Sequence, residues 1–258
     1  MLDVHPAHHA ATTWRDFFIH IATIVIGLII AVGLEQTVEA VHHYRQRAEL
    51  REQTLEVLST DLRVDAIDLR QFSDFRSFLV EQQAAIIARR AGKNTPGGPS
   101  QTDPRMKLTP GFPSLAPYEA AKQSSTVSVL PANEIRLFNR IELQRDLLLT
   151  DVHLLYAAVN EWESFAERFT DSPGNSAFGG VIITPTLNQL SPVELIEYQT
   201  MIARLIKQID VVVARLHYFD VECHSVLNGN RDEDKLFEQL HVFSTHYTPG
   251  DQPATPDR

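Results

Sequence analysis

The chain has 258 residues, 43% of them hydrophobic and 22% charged, an ordinary globular balance that excludes wholesale disorder and collagen-like order. Its single cysteine, Cys223, excludes an internal disulfide and a cysteine-rich zinc site. Its formal net charge of −10 argues against sequence-independent nucleic-acid binding, because an acidic body repels phosphate backbones. The mean hydropathy of −0.15 is that of a soluble protein, but it averages over one segment that is not.

Residues 1–16 read as a polar N-terminal tail carrying Asp3, Arg15 and Asp16. From Phe17 to Leu34 the sequence FFIHIATIVIGLIIAVGL holds no Asp, Glu, Lys, Arg, Asn, Gln or Pro. As a helix, at ~1.5 Å per residue, this run reaches ~27 Å, close to the hydrocarbon thickness of a bilayer. The expectation is a transmembrane helix over 17–34, with Trp14 as an interfacial anchor. A cleaved signal peptide would want a basic lead-in and a small-residue cleavage site followed by a loop. Here the apolar run passes straight into LEQTVEAVHHYRQRAEL, which keeps a helical pattern. A buried core helix is the other alternative, and an unbroken apolar run of this length is long for it. Around the span, Arg15 precedes it and Arg45, Arg47 and Arg51 follow. This tips the body towards the cytoplasmic side of the membrane, although Glu35 and Glu39 come first after the span and leave the side open. Thr23, Gly27 and Ala31 recur every four residues, so they form a small-residue face on which another membrane helix or a second copy can pack.

A helical body is expected over 35–226. From Leu34 to Ala91 there is neither Pro nor Gly, and a three–four spacing runs through Val41, Tyr44, Ala48, Arg51, Leu55, Leu58, Leu62, Asp65, Leu69, Phe72, Arg76, Leu79, Gln83, Ile86 and Arg90. Ten of these fifteen are apolar, a helical but leaky stripe that Gly92 ends as a C-cap glycine. The Pro- and Gly-rich stretch 92–117 predicts a mobile linker. A short helix follows at Tyr118–Lys122.

Pro131 opens the next long helix, whose seam is Phe138, Ile141, Arg145, Leu148, Val152, Leu155, Val159, Trp162, Ala166 and Phe169. After a break at Asp171–Leu190, Ser191 and Glu194 form a capping box for the last long helix. Its seam is Leu195, Tyr198, Ile202, Leu205, Ile209, Val212, Leu216, Phe219, Cys223 and Val226, all apolar. Such stripes must bury one another, with Leu155 and Trp162 facing Leu205, Ile209, Val212 and Leu216. The fold expected is all-α: a transmembrane helix continuing into an antiparallel bundle of three long helices and a short one. A polar tail follows over 227–258, within which Lys235–Val242 is amphipathic enough to dock.

Chemistry is sparse. Glu35, Glu39 and His43 share a helix face, as do His217, Asp220 and His224, and carboxylate with imidazole at such spacing can bind a divalent cation. Pairs four apart also simply support a helix, and the second set lacks the paired Glu-x-x-His signature of di-iron bundles. Cys223 lies on a seam, where a thiol acts as a small hydrophobe. No phosphate loop, nucleophile elbow or zincin helix is present, so no catalytic residue, metal ligand or cofactor is assigned.

Two stretches, WRDFFIHIATIVIGLIIAVGLEQTVEAVHHYR at 14–45 and PYEAAKQSSTVSVLPANEIRLFNRI at 117–141, resemble segments of a group of uncharacterised bacterial single-pass membrane proteins. The resemblance implies a membrane-anchored helical domain without an assigned activity. The expected function is that of an interaction protein, a scaffold, accessory subunit or assembly factor whose partners are the bilayer and another membrane protein or a second copy. A sensory bundle is the alternative, and a metal-binding helical enzyme a third class.

Overall fold

The computed structural model describes residues 14–93, 108, 110–169 and 184–246. Five α-helices occur among them: α1 (Trp14–Arg90), α2 (Ala116–Gln123), α3 (Ala132–Glu167), α4 (Pro192–Leu227) and α5 (Glu233–His246). The fold is all-α, and the helices other than the first part of α1 pack on one another. The contacts divide the chain into two units, residues 1–51 and 52–258.

In the first unit, α1 is solvent-facing on every side from Phe18 to Arg45. Its apolar window has a mean hydropathy of 2.6 with none of its residues buried, and it is long and apolar enough to cross a membrane. Local bonds absorb its polar side chains. Thr23 Oγ1 donates to Ile19 O at 2.8 Å, Thr37 Oγ1 donates to Gly33 O at 2.7 Å, and His20 Nδ1 lies 2.9 Å from Asp16 O. Each hydroxyl thereby satisfies itself on the preceding turn.

The second unit is built on a buried core that includes Phe72, Phe75, Leu79 and Ile86 of α1, Leu155, Val159 and Trp162 of α3, and Tyr198, Leu205, Ile209, Val212 and Leu216 of α4. All ten seam positions predicted for α4 are buried, as are nine of the ten predicted for α3, with Phe169 packed at the edge. Ring contacts fill the centre, with Phe75 and Trp162 at 6.1 Å and Phe165 stacked on Tyr198 at 5.5 Å.

Ion pairs frame this core. Arg140, Asp151, Glu161 and Arg168 on the α3 side meet Glu222, Arg215, Arg204 and Glu197 of α4 at 2.8, 3.1, 2.7 and 3.2 Å, in reverse order along the two sequences. Arg76 of α1 meets Asp210 of α4 at 2.6 Å, and Arg90 bonds Gln199.

The helix ends follow their local chemistry. Ser191 Oγ accepts from Glu194 N at 3.4 Å while Glu194 Oε2 accepts from Ser191 N at 2.7 Å, which completes the predicted capping box. α1 ends in a Schellman motif at Gly92, whose φ is +72°. Lys93 N donates to Ala88 O and Gly92 N to Arg89 O, both at 3.0 Å. Gly229 (φ +91°) closes α4 in the same way, with Asn230 N on Ser225 O and Gly229 N on Val226 O, again at 3.0 Å.

Three expectations need revision. The seam of α1 in this unit is Thr54, Leu58, Asp61, Asp65, Asp68, Phe72, Phe75, Leu79, Gln82 and Ile86. Every second member therefore lies one residue before the one predicted, and Asp61 and Asp68 take the places given to Leu62 and Leu69. The predicted linker 92–117 falls largely outside the described residues, but its last part is packed: Leu108, Pro113 and Leu115 are buried, and α2 already begins at Ala116. Within the expected polar tail after 226 the amphipathic piece Lys235–Val242 does dock, but as part of a longer helix, α5, whose Leu236 and Leu240 are buried. Arg136 pairs with Glu233 at 3.5 Å, and the Arg140 guanidinium lies 4.0 Å over the Phe237 ring, which ties α5 to α3.

Candidate functional site

Asp61, Asp65 and Asp68 step by four and three, so one face of α1 presents three carboxyls in succession. That face is the packed one, and all three are buried. α4 adds the half-buried Asp220 and the fully buried Glu222, both just before the buried seam residue Cys223. α3 supplies the two cations, Arg140 and Arg145. Five carboxyl groups and two guanidiniums are thus gathered inside a helical body, where an ionised carboxylate is stable only if paired or hydrogen-bonded.

Each carboxyl meets this requirement differently. Asp61 Oδ2 accepts from Ser114 N at 2.9 Å. Burial raises its pKa, while the Ser114 amide and the Arg145 charge pull it back. Asp68 accepts from the backbone amide of Gly111, yet burial outweighs this and pushes it up to about 6. Gly111 belongs here for a steric reason: a Cβ on it would lie 2.1 Å from Val64 Cγ1, so only glycine lets the strand of backbone approach α1 closely enough to reach Asp68.

Glu222 Oε1 accepts from Arg140 Nε at 2.8 Å, while its Oε2 is buried without a partner among the described residues. Burial pushes Glu222 up to about 7 despite the arginine. Arg145 is engaged by Glu119 and by Asp146, the latter at 2.7 Å.

Asp65 and Asp220 are different. Among the described residues no donor reaches either oxygen of Asp65 or Oδ1 of Asp220 when both are carboxylates, yet the two side chains are placed to hydrogen-bond each other. Only a proton between them completes that bond. Both are pushed well above the ordinary carboxyl range, Asp65 by burial and then by Asp220, Asp61 and Asp68, and Asp220 by burial. The same surroundings drive the Cys223 thiol up, mainly through burial and then through the neighbouring carboxyls Asp65, Asp220, Glu222 and Asp61.

The predicted site residues fall as follows. Leu155, Trp162, Leu205, Ile209, Val212 and Leu216 join one hydrophobic cluster. Thr23, Gly27 and Ala31 share an exposed face of α1, and nothing lies within 4 Å of where a Cβ on Gly27 would be. Glu35, Glu39 and His43 are exposed. His217, Asp220 and His224 do not converge. His217 is buried beside the Phe243 ring of α5 (6.2 Å) with its pKa lowered by that burial, His224 is exposed, and Asp220 turns to Asp65. Among the described residues no group of three or more His, Cys, Asp or Glu is arranged to hold a metal ion.

Sequence reading missed Asp61, Asp68 and Glu222 as members of this layer. The available signal was the strict three–four alternation running back from Ile86, Gln82, Leu79 and Phe75, which lands on Asp68, Asp65 and Asp61.

No protein-family model, curated protein or solved structure matches the chain.

Proposed function

We propose that the protein is a single-pass, membrane-anchored interaction protein, a scaffold, accessory subunit or assembly factor of a complex in a bacterial inner membrane. The observation that carries this reading is the charge-free run 17–34: it lies in a helix, exposes its apolar side chains in all directions, and has a mean hydropathy of 2.6. A lipid environment is the medium in which such a surface is at no disadvantage. The body is read as a helical bundle in which α4 runs antiparallel to both α3 and α1, supported by the reversed order of the α3–α4 and α1–α4 pairs. The Thr23–Gly27–Ala31 face is the place for a partner helix or a second copy. The chain is read as non-enzymatic, with no cofactor and, given its net charge of −10, no nucleic-acid partner. A resemblance of 14–45 and 117–141 to bacterial single-pass proteins supports the same reading.

The test is extraction of native membranes with alkaline carbonate. The wild type stays in the pellet, and Ile26→Arg, which costs roughly 2.5–3.5 kcal/mol of insertion, shifts it towards the soluble fraction. Release of the wild type without detergent would overturn the anchor. Crosslinking from Gly27 in membranes, read by mass spectrometry, then identifies the partner or shows a second copy.

A sensory bundle is the second reading, favoured by the buried carboxylate layer.

A further inference from the structure

Asp65 is 1% exposed and sits on the packed face of α1 opposite Asp220 of α4. The charged and titratable groups around the pair come from every neighbouring element. α1 gives Asp61 and Asp68, α4 gives Glu222 and Cys223, and α3 gives Tyr156 beside Asp68 and Arg145 near Asp61. Among the described residues, the segment before α2 gives the backbone amides of Gly111 and Ser114, which serve Asp68 and Asp61. On the side of α5, His217 contacts Phe243. The two arginines bind other carboxylates, Arg140 at Glu222 and Arg145 at Glu119 and Asp146. Among the described residues no cation is therefore directed at the Asp65–Asp220 pair.

Two ionised carboxylates in this position would lose hydration, Asp65 wholly and Asp220 at its buried Oδ1, and would repel each other in a poor dielectric. One proton turns that clash into a charge-assisted O–H···O⁻ bond, the strong kind, and leaves a single negative charge for the site to bear. We propose that Asp65 and Asp220 share one proton in the folded body and that its loss to solvent loosens the contact between α1 and α4, making this contact a pH-sensitive switch.

The sign follows from proton counting. The folded pair holds a proton at pH values where the same groups in the unfolded chain, with ordinary values near 4, are ionised. The folded state is the more protonated one, so stability falls as pH rises from about 4 through neutrality. Asp68 and Glu222 act in the same direction, while His217, lowered by burial, acts only on the acid side. The inference concerns the body alone and stands apart from the membrane reading.

The experiment uses the full chain in detergent, with thermal melts at pH 6 and pH 9, amide exchange across 214–226, and the infrared carbonyl band of protonated carboxyl groups at pH 7. In the wild type, Tm should drop by at least about 4 °C between the two pH values. Exchange protection over 214–226 should fall roughly tenfold. Asp65→Asn and Asp220→Asn each remove at least half of both effects and diminish the infrared band, whereas Asp74→Asn, at an exposed position, changes neither. If both Asn variants keep the full wild-type pH dependence, the shared proton is refuted. Wild-type protein that shows no protonated-carboxyl band refutes it independently, even should a variant fail to fold. A wild-type Tm at pH 9 restored by calcium chloride would also overturn it, because the pair would then be a metal site.

Discussion

Removing Arg140 tests the reasoning about buried charge most directly. Its guanidinium meets the fully buried Glu222 at 2.8 Å and lies over Phe237, so one side chain joins α3, α4 and α5. Arg140→Ala leaves a carboxylate with one oxygen already unpartnered and the other now bare. Breaking a buried pair from one side costs about 3–5 kcal/mol, most of it the stranded charge. That cost must depend on pH. Glu222 is raised to about 7 with the arginine present and climbs further without it. Each pKa unit is worth ~1.36 kcal/mol, and because both folded forms hold the proton below about 7, the penalty grows only as pH rises past that value. The expected loss is about 1–2 kcal/mol at pH 5, where the carboxyl is neutral and only packing and a hydrogen bond are missing, and it rises by up to about 1.4 kcal/mol at pH 8, less than the full cost of a stranded charge because the carboxyl takes up a proton instead. Glu222→Gln added to Arg140→Ala should recover at least about 1 kcal/mol at pH 8, because it discharges the stranded group. Chemical denaturation followed by circular dichroism at the two pH values measures all three. Equal losses at pH 5 and pH 8, with no rescue by the double variant, would show that Arg140 acts through packing alone.

The other predictions concern packing and local backbone, and the same melts check them. Ile209 is fully buried, so Ile209→Ala should cost about 2–5 kcal/mol, while Lys207→Ala on the exposed side should stay within roughly 0.5 kcal/mol. Equal effects would mean that the α4 seam is misassigned. Gly111→Ala drives a methyl into Val64 and should cost about 1–3 kcal/mol, together with faster proteolysis at 110–115. Ser191→Ala removes one half of the capping box and should cost about 1 kcal/mol, with amide exchange quickening first at Glu194.

The parts of the fold that can be read from sequence are those governed by one strong periodic signal. α4 shows it best: every third or fourth residue from Leu195 to Val226 is apolar, and all are buried. α3 keeps the signal through Arg145, whose long apolar stem and two acidic partners let a charged residue occupy a seam position. α1 breaks it. Leu62 follows Asp61 and Leu69 follows Asp68, so a preference for apolar residues selects the leucines and pulls alternate positions one residue too far. Burial of the aspartates depends on partners far away in the chain, Ser114, Gly111, Arg145 and Asp220, and no local pattern announces those. His217, Asp220 and His224 failed as a set for the converse reason. Spacing places them near one face, but a helix a few residues wide offers both an inside and an edge, and neighbours decide which residue takes which.

The unbroken four–three stepping of the α1 seam from Thr54 to Ile86 has an arithmetic consequence. Seven residues make two turns less about 20°, so a change of length by seven leaves the inward residues nearly where they were. A change by one turns everything on one side of it by about 100°. Deleting Ala66, with Phe72 to Ile86 held in the core, would swing Asp61 and Asp65 out of the body and carry other residues of the same turns inward. Insertions and deletions in this half of α1 are therefore admissible in steps of seven. A chain that gained or lost a whole heptad there would lengthen or shorten by about 10 Å while keeping the same side of the helix towards α4.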